Sequence, residues 1–482
     1  MNLLKRMVIV LGLVLTLTVP VGVQVLAQTI TNANDGTTLK QIIIFGRHSI
    51  RSSTTCPSQL AQYAVQPYPE FEVTTGCLTP NGTQAETLLG AYYRQYLLYE
   101  GLLTGNDRTD ALHSYFRSNS VERSWATAVA LGTGLIPNLT VPVNSFPIDP
   151  NVYQPDPVFD PIATNVAKID PNIAAAQVQE IFNSGAALAS AYSGEYSLIR
   201  SVLFDYPLGT QPPPPTPSDC NSSPCVDPTS QAITLTANPP APTGPLYYTG
   251  AIINIGGLQS TINAADPFVM QYADGLEAGW GQLTPDQISQ QTRLVSLQFD
   301  IEMRSPYLNQ VQSSNAASHV LRAMEQVVNG VNLHGAFGNA GSRTVAVISS
   351  DAYVAGLAGL LHLHWQLPGY QPDFCAPGGA LVFELRQSNR SKGYLVRVFY
   401  TAQTFDQLRS LTPLTLSEPP ATMQLLVPGG STSATDLDVN FGVFQKLMTN
   451  AINPAYVEVP RNEATPNVLT GVSCQPDPAC QE

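Results

Sequence analysis

The chain has 482 residues, of which 44% are hydrophobic and only 12% are charged, and its formal net charge at pH 7 is −13. That hydrophobic share is ordinary for a globular chain with a real core. A surface of this sign repels nucleic acid and anionic membranes, which excludes both as expected partners. An anionic ligand would therefore need a local cluster of arginines.

The first 27 residues are typical of a secretory signal peptide. Two basic residues precede an apolar run over 7–19, which is short for the ~20 residues of a membrane span. Val25 and Ala27 then stand at positions −3 and −1 of a small-residue cleavage pattern. We predict a cleaved signal over 1–27 and a periplasmic or secreted protein without membrane association after cleavage. Its net charge would be −15, because two cations leave with the signal; an uncleaved anchor is the alternative.

A basic cluster directly after a buried strand is the first candidate for chemistry. Residues 41–45 are rich in isoleucine and are followed by Gly46, which predicts a short buried strand. Arg47, His48 and Arg51 come next, where the carboxyl end of a strand faces the ligand crevice. The arginines can bind phosphate oxygens with two-pronged hydrogen bonds, and a neutral imidazole can attack phosphorus. A solvated surface histidine between two arginines is the alternative.

Two helices are predicted over 84–103 and 121–135 from their apolar periodicity. Arg123 lies in the first turn of the second helix, where a positive charge opposes the helix dipole. A bound anion would relieve that cost. An ion pair with an acid such as Glu122 is the alternative explanation.

The composition changes in the middle of the chain, from about residue 142 onward, to turns rich in proline and aspartate. Further helical patterns cover 173–188, 285–300 and 314–328, and a proline-rich irregular loop covers 207–246. Strand patterns return over 343–348, 380–385 and 394–399. Strands at both ends around a helical middle predict one α/β core interrupted by an inserted helical region.

Ser350 and Asp351 form a second candidate group, between the predicted strand at 343–348 and an apolar helix. A helix N-terminus beside a strand end is a natural anion site. An aspartic acid facing a bound phosphate would favour its protonated form and could then protonate a leaving alcohol. Capping of the helix by these side chains is the alternative.

The seven cysteines of an exported chain are more typical of disulfides than of metal ligands. Spacing along the chain favours the pairs Cys220–Cys225, Cys474–Cys480 and Cys56–Cys77, with Cys375 left over, although spacing alone does not fix the connectivity. No Cys/His spacing resembles a zinc site, so we predict no metal.

Taken in order, these segments resemble the two-domain histidine acid phosphatases, the branch that includes phytases and glucose-1-phosphatase. The family motif Arg-His-Gly-x-Arg-x-Pro corresponds to Arg47-His48-Ser49-Ile50-Arg51-Ser52-Ser53. Further matches follow at 78–82, 90–94, 122–128, 134–137, 271–275, 304–307, 351–361 and 381–385. The resemblance covers essentially the whole mature chain.

The resemblance implies a histidine phosphatase-like three-layer α/β core with an inserted, mainly helical cap domain. The core would comprise 28–150 and 336–482, and the cap 151–335. His48 would be the nucleophile and Asp351 the proton donor. The phosphate-binding residues would be Arg47, Arg51, Arg123 and Ser350. No cofactor is implied.

The chain departs from the family pattern at three serines. Ser49 replaces the motif glycine and Ser53 its proline, and neither change removes a chemical group. Ser350 stands where the family has a histidine that donates to the phosphoryl oxygens. Loss of one such donor typically costs on the order of 10²–10³ in turnover.

The sequence therefore predicts an exported acid phosphatase that hydrolyses phosphomonoesters, with phytate or sugar phosphates as possible substrates, through a phosphohistidine. Ser350 would weaken that activity. The alternative is a catalytically silent relative that binds a phosphorylated ligand or partner through the same pocket.

Overall fold

The computed structural model describes residues 35–148, 154–210, 219–238, 252–458, 467–475 and 480. The predicted signal peptide and part of the predicted proline-rich loop lie outside these residues. Among the helices that are described, none is both long enough and apolar enough to cross a membrane.

A nine-stranded mixed sheet forms the centre of the molecule. The strands of the described residues are β1 (Thr37–Arg47), β2 (Ser114–Ser118), β3 (Val143–Ser145), β4 (Thr236–Ala237), β5 (Ile253–Asn254), β6 (Thr344–Ser349), β7 (Ala380–Ser388), β8 (Tyr394–Ala402), β9 (Ala421–Gln424), β10 (Val439–Asn440) and β11 (Asn467–Leu469). The order in the large sheet is β10-β8-β7-β1-β6-β2-β3-β11, and β9 pairs with β8. Strands β1, β6, β2 and β3 run parallel, and the flanking pairs are antiparallel.

Helices cover both faces of this sheet and fill the segment between β3 and β6. They are α1 (Pro57–Leu60), α2 (Pro80–Tyr99), α3 (Asp107–Leu112), α4 (Glu122–Leu135), α5 (Pro171–Phe182), α6 (Gly185–Ala191), α7 (Ser193–Leu203), α8 (Gly257–Ala273), α9 (Pro285–Gln291), α10 (Arg293–Glu302), α11 (Pro306–Asn329), α12 (Asp351–Leu360), α13 (Phe405–Ser410) and α14 (Phe441–Ala451). Short 3₁₀ turns lie at Pro228–Ser230, Ala278–Gly281 and Pro454–Tyr456.

The central strand shows why the fold has three layers. Successive side chains of a strand point to opposite faces of the sheet. An unbroken apolar run must therefore be covered by other elements on both faces. Ile43 and Phe45 enter a core cluster with the helices of the middle segment. Ile42 and Ile44 enter a second cluster that includes side chains of α2 and α4. The predicted α/β class, with helices on both faces of the sheet, is confirmed.

The middle segment shares its core with the sheet. The cluster that contains Phe45 also contains Leu258 and Phe268 of α8 and Leu297 of α10. Burial of these side chains holds the helical region against one face of the sheet. The domain boundaries at 150 and 335 stay a prediction.

Two elements near the candidate site were missed by the sequence patterns. Strand β2 carries a charged residue, Arg117, which is buried and paired with Asp156 at 2.7 Å. Helix α8 contains Pro267, which cannot donate a backbone hydrogen bond. The carbonyl of Asn263, one turn earlier, instead accepts a hydrogen bond from the hydroxyl of Thr55 at 3.3 Å. Tertiary partners thus stabilise segments whose local pattern is poor.

The disulfides differ from two of the predicted pairings. Cys220–Cys225 is confirmed, and Cys375 is a free, buried thiol. The pairings Cys474–Cys480 and Cys56–Cys77 are wrong, because the bonds are Cys56–Cys480 and Cys77–Cys474. Strand β11 pairs with β3, which brings the C-terminal segment beside the loop that follows β1. Closeness along the chain is a poor guide when distant segments meet in this way.

We expect the two long-range disulfides to contribute more to stability than the local one. They link residues 424 and 397 positions apart, whereas Cys220–Cys225 spans five. Loop-closure entropy predicts a loss of about 10 kcal/mol in the free energy of unfolding when the four long-range cysteines become serine, against about 2 kcal/mol for the local pair. Urea denaturation of both variants measures this difference. Equal losses would contradict the expectation.

Candidate active site

The carboxyl ends of three parallel strands meet at one edge of the sheet. Arg47, the last residue of β1, pairs in register with Ser349, the last residue of β6. The backbone N–H of His48 donates to the carbonyl of Ser349 at 2.8 Å, and that of Asn119, after β2, donates to Ile348 at 3.1 Å. Segments far apart in sequence therefore meet at this edge, where α/β sheets hold their ligands.

His48 is buried, and its ring is oriented by its neighbour. Its Nδ1 lies 2.9 Å from the carbonyl oxygen of Ser49. A carbonyl can only accept, so Nδ1 carries the proton and Nε2 keeps its lone pair. Burial, and then the charges of Arg123, Arg47 and Arg51, lower the pKa of His48 well below its ordinary value. The result is a neutral imidazole with a nucleophilic nitrogen in mildly acidic solution.

Arg47 joins the two candidate segments. Its Nη2 lies 3.0 Å from Oδ2 of Asp351, and its Nη1 donates to the carbonyl of Cys375 at 2.6 Å. The arginine side chain is only 2% exposed. A buried guanidinium requires such an anionic partner.

Arg51 is bound by a residue that the sequence patterns missed. Its Nη1 and Nη2 donate to the two carboxylate oxygens of Asp266 at 2.9 and 3.1 Å, and Nη1 also donates to the carbonyl of Ser52. Asp266 lies on α8, 215 positions away, so no local spacing could reveal it. A bound anion would compete with this carboxylate for the guanidinium.

Arg123 lies in the first turn of α4, where the N-terminus of the helix faces the same edge. Its Nη1 donates to the carbonyl of Gly76 at 3.3 Å. Glu122, the alternative partner in the sequence interpretation, accepts the backbone N–H of Leu78 at 3.2 Å. Both side chains of α4 thus hold the loop that precedes α2.

Ser350 and Asp351 begin helix α12. Ser350 occupies the N-cap position with extended backbone angles, but its hydroxyl makes no capping hydrogen bond. Asp351 accepts the backbone N–H of Ala352 at 3.1 Å in addition to its ion pair with Arg47. Capping of α12, the alternative role considered for these side chains, therefore does not apply to Ser350.

A cavity of about 550 Å³ opens over these groups. Its lining includes His48, Arg51, Arg123, Ser350 and Asp351, whereas Arg47 lies behind Asp351. The structure thus brings all six sequence-predicted residues together, five on the cavity surface and one beneath it. The volume suits a small organic ligand.

A metal centre has little support among the residues that the structure describes. One group of three potential ligands lies close together there, formed by Cys77, Glu122 and Cys474. The two sulfurs belong to one disulfide. A cysteine binds a metal ion as a thiolate, and the sulfurs of a disulfide are not thiolates. This group is therefore unsuited to a metal.

Comparison with known proteins finds similarity to one superfamily of phosphatases. The sequence model of the histidine phosphatase superfamily, branch 2, matches residues 267–401. A phytase of Escherichia coli strain K12 is 26% identical over 429 residues, which cover 86% of this chain and 93% of that protein. A glucose-1-phosphatase of Providencia rettgeri is 23% identical over 419 residues, covering 86% and 92%.

Solved structures agree with this assignment. A phytase of Hafnia alvei in complex with tartrate superposes with a TM-score of 0.75 at 25% identity, covering 88% of this chain and 100% of that chain. The same phytase in complex with myo-inositol hexakis sulphate gives a TM-score of 0.74. The chain therefore shares the fold of these phytases, is similar over most of its length to phosphatases of branch 2 of the histidine phosphatase superfamily, and is an enzyme of the phosphatase class.

Proposed function

We propose that this protein is an exported acid phosphatase that hydrolyses phosphomonoesters through a phosphohistidine at His48. One observation carries the proposal. The Nδ1 proton of His48 is bound by the Ser49 carbonyl, which leaves the Nε2 lone pair free on a cavity surface beside three arginines. An imidazole with a lowered pKa is a competent nucleophile under acidic conditions, where an ordinary histidine would be protonated.

In the first step, Nε2 of His48 attacks phosphorus while the bond from phosphorus to the leaving oxygen breaks. Asp351 gives a proton to that oxygen and releases an alcohol. Arg47, Arg51 and Arg123 hold the phosphoryl oxygens and balance their charge. Asp351 regains this proton in the second step.

In the second step, water attacks the phosphohistidine. Asp351 accepts a proton from that water, the bond between phosphorus and nitrogen breaks, and inorganic phosphate leaves. His48 returns to its neutral form. Ser350, on the same cavity surface, offers one neutral hydrogen-bond donor, which is a weaker stabiliser of developing charge than a protonated histidine.

The proposed substrate is a phosphorylated small molecule, with phytate and sugar phosphates as candidates. The names of the relatives, phytase and glucose-1-phosphatase, support this class. Export to the periplasm or the medium is supported by the predicted signal peptide and by three disulfides among the described residues.

A catalytically silent binding protein is the second candidate. Two observations motivate this candidate. Ser350 stands in place of the family histidine, and two of the arginines already form ion pairs with carboxylates, Arg47 with Asp351 and Arg51 with Asp266. Hydrolysis of p-nitrophenyl phosphate between pH 3 and 7 separates the two candidates.

Replacing the proposed nucleophile tests the covalent step. We expect His48→Ala to lower kcat for p-nitrophenyl phosphate at least about 1,000-fold. Rapid quenching with labelled substrate should give an acid-labile phosphoenzyme in the unmodified protein and none in the variant. His364→Ala is the matched control, because His364 is 69% exposed and lies outside the cavity. A phosphoenzyme that persists in His48→Ala would overturn the assignment.

Restoring the family histidine tests the role of Ser350. We expect Ser350→His to raise kcat on the order of 10²-fold, because a charged donor would again face the phosphoryl oxygens. Ser350→Ala, which removes the hydroxyl, should lower kcat further. If the unmodified protein is silent and Ser350→His is active, the binding-protein candidate is supported. Unchanged turnover in both variants would show that Ser350 takes no part.

Removing the charge of Asp266 tests its competition with phosphate. Asp266→Asn keeps the shape of the side chain but frees Arg51 from its counterion, so the Kd of inorganic phosphate at pH 7 should fall about three- to tenfold. Isothermal titration calorimetry measures that Kd. Asp300→Asn, which affects an ion pair with Arg304 outside the cavity, is the control. Weaker phosphate binding in Asp266→Asn would mean that Asp266 positions Arg51 instead.

A further inference from the structure

The cavity has a second polar region that the proposed mechanism does not use. It is formed by side chains of helices α8, α10 and α11, and we name it the amide cluster. Its members are Gln259, Asn263, Gln298, Glu302 and Gln312. All five line the same cavity as His48. A ligand whose phosphate lies at the arginines would extend toward groups of this kind.

Helix α8 connects the amide cluster to the phosphate site. Gln259, Asn263 and Asp266 follow one another at intervals of four and three residues, so they lie on one face of the helix. Asp266 contacts Arg51. At 1.5 Å per residue, Asn263 and Gln259 lie about 5 and 10 Å farther along the helix axis. That distance matches the body of a hexose attached to a phosphate at Arg51.

The cluster is organised by hydrogen bonds between its own members. The Gln298 amide donates to Gln259 at 3.0 Å and to Oε2 of Glu302 at 2.9 Å. The amide of Gln312 donates to the backbone carbonyl of Glu302 at 2.7 Å. These contacts orient the side chains before any ligand binds, which lowers the entropy cost of recognition.

Glu302 is the member with unused bonding capacity. Its Oε1 is buried and has no hydrogen-bond partner among the described residues. Burial raises the pKa of Glu302 to about 7, so in acidic solution the group is protonated and can both donate and accept. Carboxyl and amide groups of this kind match hydroxyl groups, which also donate and accept.

Positive charge is confined to the phosphate site. Among the described residues that line the cavity, the arginines and lysines are Arg51 and Arg123 alone. The amide cluster contains no cation. A second phosphate on the ligand would lose its hydration there without gaining a counterion.

We propose that the amide cluster binds the hydroxyl groups of a neutral leaving group, and that the preferred substrates are monophosphates of sugars or other polyols. Multiply phosphorylated substrates are disfavoured at the same site. This inference rests on the proposed function for its choice of substrate, and it concerns a part of the cavity outside the catalytic groups.

A binding experiment tests the inference independently of turnover. In the His48→Ala background, which cannot form the covalent intermediate, calorimetry gives the Kd of glucose 6-phosphate and of glucose 1,6-bisphosphate. We expect the monophosphate to bind at least about tenfold more tightly. Equal or tighter binding of the bisphosphate would overturn the inference. Hydrolysis of p-nitrophenyl phosphate by the unmodified protein is measured separately, and its absence would overturn only the proposed function.

Variants of Glu302 then test the hydroxyl contacts. The measured quantity is the ratio of the glucose 6-phosphate affinity to the inorganic phosphate affinity, in the same His48→Ala background. Glu302→Leu should lower this ratio about three- to tenfold, as expected for one lost hydrogen bond. Glu302→Gln, which keeps a donor and an acceptor, should preserve it. Glu325→Leu, outside the cavity, is the matched control. A ratio unchanged in Glu302→Leu would contradict the proposed subsite.

Discussion

The parallel pairing of β1 with β6 is the constraint on which the site depends. It places Arg47 beside Ser349, so that His48 and Ser350 leave the sheet as neighbours although about 300 residues separate them in sequence. The ion pair of Arg47 with Asp351 then fixes the two segments to each other. A shift of one residue in the pairing register of β1 would turn every side chain of β1 to the opposite face of the sheet. It would thereby separate these groups.

Charge compensation explains much of the remaining arrangement. The chain is strongly acidic, yet it gathers three arginines around one imidazole. Buried guanidinium groups need anions, and Asp351 and Asp266 supply them for Arg47 and Arg51. The same positive charges help to keep His48 unprotonated. A phosphate ligand would take over the role of the carboxylates, so counterion exchange accompanies binding in the proposed mechanism.

The walls of the cavity come from segments far apart in sequence. Helix α8 contributes Asp266 and part of the amide cluster, and it is tied to the loop after β1 through the Thr55 hydroxyl. The C-terminal segment contributes Ser473 and Gln475, and the Cys77–Cys474 disulfide holds it in place. A covalent tether suits this segment because its short strand, β11, pairs over only three residues.

The sequence by itself determined the features that depend on local pattern. These are the buried strand predicted over 41–45 just before Arg47, the helices that carry Arg123 and Asp351, and the α/β class. The family resemblance supplied the grouping of the site residues. Only the tertiary structure decided the contact of Asp266 with Arg51, the composition of the amide cluster and the pairing of the C-terminal cysteines. These features join segments hundreds of residues apart, and the periodicity of a single segment carries no information about which distant segment will pack against it.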